Sequence, residues 1–596
     1  MDQREVIMTD TITSDSLFQA ILYGAVSTRD RKDDLNRINV FPVVDNDTGN
    51  NLAHTMHSIL SQSRLQDNVR STLKDVARSA LIGARGNSGA IFSQYFNGLY
   101  VRSPENAFVT LSEMAVFFQD AFDKAYSAIE SPVEGTVITL MRAWSVTFRE
   151  SLEERKSMRE IFEVSLSRIK QALEDTTNTL EALKKLKIVD AGALGYYYFM
   201  DGFVQSILGL NSHARQKYQA LITPDIDVEI HNFGQVSEIR FRYCTEVLFE
   251  SAGLDFDVFR DELKGLGDSL LLSTTDNLTR VHLHTNQPWE ILKLVSARGK
   301  IIEHKADDMI HQNLLAGPAE NKIACVTDSI ADLPQEFVFR HNVFQIPVNI
   351  LVDGVSFLDK VTIDSTFLNE HLKEASTSQI NAEQIRSFLA PILAHYEQVV
   401  ILTVSSHMSG TYSRFKETLA EMKIPASKAA LIDTRVNSGA QGMLVLEAVR
   451  MIEEGLAFGR IVSSIEALRS RARIVVSVLD IERMAHSGRV SEKIGDLLIR
   501  LKFKPLISID REGKGTIKGV AFSVEKNRKI LLKSMRGKLV EDYVIVHAAA
   551  AERAESLKED MIRLTGKAPL YVTEISSAIT LFSGKGSVAV AYLEKA

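Results

Sequence analysis

The chain has 596 residues, of which 45% are hydrophobic and 24% charged, and its formal net charge at pH 7 is −7. This length exceeds what one hydrophobic core supports, so we expect two to four globular domains. The acidic balance argues against nucleic acid as a partner, because it provides no overall basic field for a phosphate backbone.

The N-terminal sequence is polar and lacks the apolar run of a signal peptide, and no later stretch approaches membrane-spanning length. We therefore expect a cytoplasmic protein without an integral membrane segment. Cys244 and Cys325 are too few for a disulfide framework. Each is expected to be a core residue, a metal ligand or a nucleophile.

Residues 1 to about 210 are predicted to be helical, because apolar residues recur there at three- and four-residue spacing. Strand signals are nearly absent, which favours an all-α bundle. Glycines cluster at helix starts, where they let a ligand approach backbone N–H groups closely. The glycine-marked loops are DNDTGNN, GARGNSGA, SPVEGT and VDAGALGY.

The pattern changes after about residue 225, where strands such as EIRFRYCTEVLFE and TRVHLHT predict a small α+β domain. A polar connector then leads to strands such as VVILTVSS that alternate with helical stretches. This alternation predicts an α/β domain with a largely parallel sheet. The predicted domains are 1–212, 225–312 and 322–596.

The stretch NVFPVVDNDTGNN places Asp45 and Asp47 on one turn, before what looks like a helix start. Two carboxylates so placed can direct oxygens at a common centre, an arrangement that suits Mg²⁺ together with substrate phosphates. The start of a helix also attracts anions. Taken alone, such a pattern is more often an ordinary turn.

The four glycine-marked stretches, in this order, resemble the nucleotide-binding domain of the dihydroxyacetone-kinase L-subunit family, and most closely the kinase component of bacterial fatty-acid kinases. The resemblance implies a barrel of antiparallel helices that binds ATP with Mg²⁺ at one end. It makes Asp45 and Asp47 the magnesium ligands and assigns the nucleotide to Thr48, Gly49, Asn50, Asn51, Gly86, Asn87, Ser88, Gly135, Thr136 and Asp190. Two residues depart from the family pattern, Asn46 in place of a glycine and Asn50 in place of a threonine.

Cys244, His282 and His284 form a second candidate site. Alternate residues of a strand share a face, so the two histidine rings of RVHLHT project together. With Cys244 on a neighbouring strand they offer three ligands for Zn²⁺, although a solvent-facing histidine pair and an unrelated cysteine remain the alternative. YCTE and HLHTNQP also resemble the middle domain of the same kinase component, and this resemblance implies zinc.

The last third resembles the DegV family of fatty-acid-binding proteins in five ordered stretches: VTDSIADLP, STSQ, SSHMSGTYS, IDTRVNSGAQGMLV and SGRVSEKIG. The resemblance implies a two-lobed α/β domain that holds a fatty acid in a tunnel. The residues it implicates are Thr377, Ser378, Ser409, Gly410 and Arg489. Phe582 stands where the family has a histidine that touches the carboxylate, so Lys585 or another group supplies that contact, or the head group differs.

Together these resemblances predict a fusion in which the chain phosphorylates the carboxylate of a fatty acid held in its own last domain. The alternatives are a lipid-binding or regulatory protein with a degenerate kinase site, and a kinase for another small substrate. ATP and Mg²⁺ are the expected cofactors, with Zn²⁺ as a third. We also expect a homodimer and a transient contact with a membrane or an acyltransferase.

Overall fold

The computed structural model describes residues 11–39, 47–130, 132–210, 239–319, 321–372, 374–485 and 499–595. It divides the chain into two compact units, Met1–Asn313 and Leu314–Ala596. Among the helices it describes, none combines the length and the apolar content needed to cross a membrane.

The first unit begins with a helical domain, as the apolar spacing predicts. Its helices are Ser14–Arg29 (α1), Lys32–Arg37 (α2), Thr48–Gln62 (α3), Val69–Gly83 (α4), Gly86–Val101 (α5), Leu111–Ala128 (α6), Val137–Glu153 (α7), Met158–Thr179 (α8), Glu181–Leu186 (α9) and Ala191–Ile207 (α10). Two short strands, Thr11–Thr13 (β1) and Phe108–Thr110 (β2), pair antiparallel beside them.

Buried aromatic side chains fill the helical core. Phe118 meets Trp144 and Phe148 edge to face, with ring centroids 5.6 and 5.1 Å apart, and all three are almost fully buried. Such pairs add about 0.5–1.5 kcal/mol each beyond the area they bury. Helix α10 is apolar on nearly every side and lies in the interior, packed against α1, α7 and α8.

A four-stranded antiparallel sheet follows in the same unit, in the order β4-β5-β3-β6. Its elements are Tyr243–Glu250 (β3), Phe256–Lys264 (α11), Asp268–Thr275 (β4), Leu278–Thr285 (β5), Pro288–Ser296 (α12) and Lys300–Asp308 (β6), and Met309–Ala316 (α13) follows them. The register of β3 and β5 sets Cys244 opposite His284 and Glu246 opposite His282. These four side chains therefore share one face of the sheet.

The sheet packs directly on the helical domain. Leu81 at the end of α4 forms a buried cluster with Leu248 and Leu278. Gln94 Nε2 on α5 donates to the Thr274 carbonyl at 3.3 Å. The helices and the sheet thus share one interior, which places the turn between α4 and α5 against the sheet.

The second unit is a two-lobed α/β domain. Its strands are Ile323–Asp328 (β7), Phe344–Ile346 (β8), Asn349–Val352 (β9), Val355–Leu358 (β10), Ser376–Ser378 (β11), Gln398–Thr403 (β12), Ala429–Asp433 (β13), Ala472–Ser477 (β14), Lys504–Ile509 (β15), Gly515–Ala521 (β16), Val540–His547 (β17), Val572–Glu574 (β18) and Val588–Glu594 (β19). Its helices are Gln335–Arg340 (α14), Ser365–Glu370 (α15), Ala382–His395 (α16), Thr411–Glu421 (α17), Ser438–Glu453 (α18), Phe458–Arg469 (α19), Glu482–Ala485 (α20), Val524–Met535 (α21), Ala551–Thr565 (α22) and Ser577–Ser583 (α23).

The prediction of a largely parallel sheet is correct for only one lobe. The four-stranded sheet β13-β12-β7-β8 is parallel throughout. In the six-stranded sheet β16-β15-β14-β19-β17-β18 only β17 and β18 run parallel. The physical reason lies in the connections: β15 and β16 are joined by a short turn through Gly513, which allows only an antiparallel hairpin. Helix α18 is buried and contacts strands of both sheets.

Candidate functional site

Four helices of the first unit begin next to one another. A methyl group placed at Gly86 would lie 2.4 Å from Asn51 Nδ2, so the starts of α3 and α5 touch. A methyl group at Gly192 would lie 3.6 Å from Ser88 Oγ and 3.7 Å from Val137 Cβ, which adds the starts of α7 and α10. The positive ends of four helix dipoles therefore converge on one region, an arrangement that favours an anionic ligand.

The first turn of α3 holds Thr48, Gly49, Asn50 and Asn51, the residues predicted to contact phosphate. Gly49 has no room for a side chain, because a methyl group there would lie 1.9 Å from the Lys32 carbonyl oxygen. The Asn50 amide donates to Asn36 Oδ1 at 3.2 Å. Helix α2 thus holds this turn tightly, and Asp47 occupies the position immediately before it.

The first turn of α5 holds Gly86, Asn87 and Ser88. Gly86 has a φ of +57°, which glycine adopts without strain. Its amide donates to the carboxylate of Glu246, a residue of the sheet. The sequence did not predict this partner.

Asp190 joins the starts of α7 and α10. Its Oδ1 accepts from the Ala193 amide at 2.8 Å and so caps α10. Burial raises the pKa of Asp190 to about 6, although hydrogen bonds from the Ala193, Val137 and Gly192 amides oppose the shift. Gly135 has a φ of +84°, and the Thr136 hydroxyl donates to the Val133 carbonyl at 2.7 Å. The structure therefore brings the predicted nucleotide loops to one end of the domain.

Asp45, Asn46 and Arg489 lie outside the described residues. Of the two predicted magnesium ligands, the structure thus describes Asp47. Its carboxylate precedes α3 beside the converging helix starts and suits Mg²⁺, a cation that prefers oxygen ligands and shares them with phosphates.

Cys244, His282 and His284 lie together, each offering a ligand atom within 4.8 Å of the others. Both histidines are buried, with 2% and 9% of their surfaces exposed, so the alternative of a solvent-facing pair does not hold. His282 Nε2 is buried without a hydrogen-bond partner. One thiol and two imidazoles, one of them with an orphaned buried nitrogen, fit a Zn²⁺ ion.

The electrostatics of this cluster fit a cation as well. Burial raises the pKa of the Cys244 thiol well above its usual value, and the charges of Glu246, Asp307 and Asp47 raise it further. Burial lowers the pKa of His284 to about 3, with a further contribution from His282. A bound cation would instead lower the pKa of the Cys244 thiol, because it stabilises the thiolate.

Glu246 shows that the two candidate sites lie close together, because its carboxylate contacts both the Gly86 amide and His282 Nδ1. Asp47 also raises the pKa of Asp307 on β6. The cysteine and histidine cluster therefore borders the end of the helical domain where the helix starts converge. The sequence treats these as sites of separate domains and does not reveal that they adjoin.

Glu246 and Arg280 are the residues that sequence reasoning missed. Glu246 lies two residues after Cys244, and Arg280 two residues before His282, so the same two-residue period that pairs the histidines includes them. Arg280 Nη1 lies 3.4 Å from Glu246 Oε2, and both side chains are buried. His282, Arg280 and the Gly86 amide outweigh burial and lower the pKa of Glu246 to about 2.

A cavity of about 360 Å³ lies in the second unit. Thr377, Ser378, Ser409 and Gly410 all line it, so the structure brings four of the five predicted fatty-acid residues together. A methyl group at Gly410 would lie 1.8 Å from Gln379 Nε2, which shows how closely the two motifs meet. Most of the remaining wall is aliphatic, including Ile330, Val348, Val404, Ile474, Val476, Ile507, Ile509, Val546, Ile575, Ala578 and Ile579.

The described residues that line this cavity carry no ionisable side chain. Phe582 is one of them, and Lys585 is not. The amides of Gln379 and Asn437 also line the wall, and Asn437 precedes α18 without capping it through its side chain. These amides and the neighbouring hydroxyls are thus the polar groups that a ligand would meet.

Buried aspartates hold the helix that closes one side of the cavity. Helix α23 carries Ala578, Ile579 and Phe582 into the wall. At its start the Ser576 amide donates to Asp332 at 2.7 Å and the Ser577 amide donates to Asp359 at 2.8 Å. Carboxylates at a helix N-terminus are favourable, and these two fix where the helix begins.

Three family models match the chain in succession. The DAK2 domain matches residues 42–205, the FakA-like middle domain of fatty acid kinases matches residues 240–314, and the DegV family of uncharacterised proteins matches residues 322–595. The three matches follow one another along the chain and together cover most of it. The chain is thus similar to domains of a kinase-type phosphotransferase over residues 42–205 and 240–314, and to the DegV family over residues 322–595.

Relatives of the chain include uncharacterised proteins of Staphylococcus haemolyticus and Staphylococcus epidermidis. The first is 30% identical over 304 residues, which cover 49% of this chain and 54% of the relative. The second is 28% identical over 300 residues, with the same coverage of 49% and 54%. The chain thus spans about half the length of the curated relatives it matches.

Solved structures similar to the DegV domain include a fatty-acid-binding DegV-family protein from Thermus thermophilus. That protein is 24% identical, with a TM-score of 0.42 and coverage of 46% of this chain and 100% of its own. DegV from Bacillus subtilis, described as a fatty acid binding protein, is 21% identical, with a TM-score of 0.41 and the same coverage of 46% and 100%.

Proposed function

We propose that this chain transfers the γ-phosphate of ATP to the carboxylate of a fatty acid held in its own DegV domain, giving ADP and an acyl phosphate. The observation that carries the proposal is the presence of two complementary sites in one chain. One is a convergence of helix N-termini suited to phosphates, and the other is a largely aliphatic cavity with polar groups in its wall.

The nucleotide half rests on the starts of α3, α5, α7 and α10. Their backbone N–H groups and dipoles bind the phosphates of ATP. Asp47, with Asp45, holds Mg²⁺, which neutralises charge on the transferring phosphoryl group. Phosphoryl transfer requires mainly positioning and charge neutralisation, so the chain needs no covalent nucleophile of its own.

The acceptor half rests on the cavity of the DegV domain. Its volume of about 360 Å³ and its aliphatic wall suit an acyl chain. The hydroxyls of Thr377, Ser378 and Ser409 and the amides of Gln379 and Asn437 bind the carboxylate, because a buried charge without donors is very costly. Neutral donors leave the negative charge on the carboxylate, which is then the nucleophile.

The cysteine and histidine cluster belongs to the same proposal. Cys244, His282 and His284 hold Zn²⁺ beside the nucleotide end of the helical domain. The ion supplies a fixed positive charge there. Tethering the DegV domain to the kinase domains keeps the acyl chain at high effective concentration, within one chain or across a homodimer.

The test is an assay for acyl phosphate, trapped with hydroxylamine, from ATP, Mg²⁺ and oleate or palmitate. Asp47→Asn should lower the rate at least a hundredfold, because one metal ligand loses its charge. Asp67→Asn makes the same change at an exposed position and should leave the rate unaltered. Equal rates for wild type and Asp47→Asn would refute the magnesium assignment, and no product at any chain length would favour a lipid-binding or regulatory protein.

Zinc is tested by metal analysis of the purified chain. Wild type should carry one equivalent of zinc, and a Cys244→Ser, His282→Ala double variant should carry none. The matched control is Cys325→Ser, which changes the buried cysteine of the second unit and should retain the metal. An unchanged zinc content in the double variant would rule out this ligand set.

A further inference from the structure

We infer that Glu246 is a positioning residue that links the Cys244, His282 and His284 ligand set to the turn at Gly86, so that a metal bound by those ligands orders the start of α5. The inference rests on the proposed function in two respects, that the Gly86 turn is part of the nucleotide site and that Cys244, His282 and His284 hold a metal. Glu246 itself lies outside the group of three ligands.

One buried carboxylate makes both contacts. Glu246 Oε1 accepts from the Gly86 amide and lies 3.4 Å from His282 Nδ1. Its second oxygen lies 3.4 Å from Arg280 Nη1 and 3.8 Å from Arg85 Nη1. Only 4% of Glu246 is exposed, so solvent does not weaken these interactions appreciably.

Arg280 extends the link to the preceding helix. Its Nε donates to the Leu81 carbonyl at 3.1 Å and its Nη2 to the Ile82 carbonyl at 2.9 Å. The guanidinium thus caps the negative end of α4, while Glu246 accepts at the positive end of α5. The Glu246–Arg280 pair of the sheet therefore holds the short connection between α4 and α5 from both sides.

The same arrangement makes the link respond to a metal. A carboxylate beside a ligating histidine fixes the orientation and tautomer of its ring. When a metal holds the ring of His282, the ring in turn holds the Glu246 carboxylate in place, and Glu246 holds the Gly86 amide. By reciprocity, a ligand that favours the ordered turn must raise the affinity for the metal by the same factor.

Hydrogen exchange of the full chain tests the link directly, because the Gly86 amide is the donor to Glu246. We compare peptides that cover residues 83–91 in zinc-loaded and chelator-treated protein. Zinc should slow exchange there at least severalfold in wild type. In Glu246→Gln the zinc affinity should fall roughly 10- to 100-fold, and at saturating zinc the slower exchange should be absent.

Glu250→Gln is the matched control, because it makes the same change at an exposed position on the same strand. It should behave as wild type. Glu246→Asp serves as a second variant if Glu246→Gln does not fold, since the shorter side chain cannot keep both contacts and should also lose the effect.

The inference is overturned if wild type binds no zinc, if zinc leaves exchange at 83–91 unchanged, or if Glu246→Gln keeps the effect at saturating zinc. These outcomes are independent of catalysis. A chain that shows the zinc effect but makes no acyl phosphate would refute the proposed function and leave the inference standing. A chain that makes acyl phosphate but shows no zinc effect would refute the inference and leave the proposed phosphoryl transfer standing.

Discussion

Asp359 should make the DegV domain less stable as pH rises. The side chain is fully buried and accepts from Ser329 Oγ at 2.6 Å and from the Ser577 amide at 2.8 Å. Burial raises its pKa from 3.8 to about 6, although Lys360 and the hydrogen bond from Ser329 oppose the shift. Between pH 3.8 and about pH 6 the folded domain therefore keeps a proton on Asp359 that the unfolded chain has already released. Stability contributed by this proton is present below about pH 4 and is lost as pH rises through 6.

The magnitude follows from the shift. Two pKa units correspond to about 3 kcal/mol of unfolding free energy at pH 7.5, and about half of that is already lost at pH 5. Asp359→Asn removes the ionisation and keeps the shape, and the Ser329 hydroxyl can accept from the new amide. The difference in stability between variant and wild type should therefore change by about 1 kcal/mol between pH 5 and pH 7.5, in favour of the variant. For a domain of this size that is roughly 3 °C in melting temperature.

Calorimetry of the full chain at several pH values measures this difference. Both tryptophans, Trp144 and Trp289, lie in the first unit, so their fluorescence identifies its transition and leaves the other to the DegV domain. Asp353→Asn is the control, since it makes the same change at an exposed turn. Parallel pH profiles for wild type and Asp359→Asn would refute the reasoning from burial.

Three further predictions concern the other sites. Gly86→Ala should weaken ATP binding at least tenfold in calorimetric titrations, because the new methyl group meets Asn51. The control Gly209→Ala, at a glycine with a similar backbone angle and open space around it, should cost about 1 kcal/mol of stability and leave the affinity for ATP unchanged. Equal affinity in both variants would contradict the packing argument. Arg280→Met should destabilise the first unit by about 3–5 kcal/mol in urea, followed by tryptophan fluorescence, since it removes the nearer of the two arginine partners of the buried Glu246 carboxylate. A loss below about 1 kcal/mol would show that the ion pair is dispensable. Ala578→Phe should fill the cavity and reduce copurified fatty acid in native mass spectrometry by more than half. The control Ala551→Phe, at an exposed helix start, should leave the amount of copurified fatty acid unchanged. Undiminished lipid in Ala578→Phe would place the acyl chain elsewhere.

The sequence predicts the parts of the sites that lie within a single helix or strand. The period of two places His282 and His284 on one face of a strand, and the glycines of GARGNSGA mark a helix start at Gly86. The contact of Glu246 with Gly86 joins residues 160 positions apart. No local pattern predicts it, because it depends on how the sheet packs against α4 and α5.

The second unit shows a similar limit. Alternating strands and helices predict its class, but the direction of neighbouring strands depends on connections such as the Gly513 turn. The cavity gathers Thr377, Ser409 and Phe582 from three distant segments. The resemblance to a known family suggested that gathering, and the spacing of the residues alone could not.

A single-turnover experiment tests the central claim most directly. Purified chain is loaded with one equivalent of fatty acid, freed of unbound lipid, and mixed with Mg²⁺ and γ-labelled ATP without any second protein. The account predicts that labelled acyl phosphate forms in an amount close to that of the bound fatty acid. Retention of the fatty acid without labelled product, or product that forms only after a separate carrier protein is added, would contradict it.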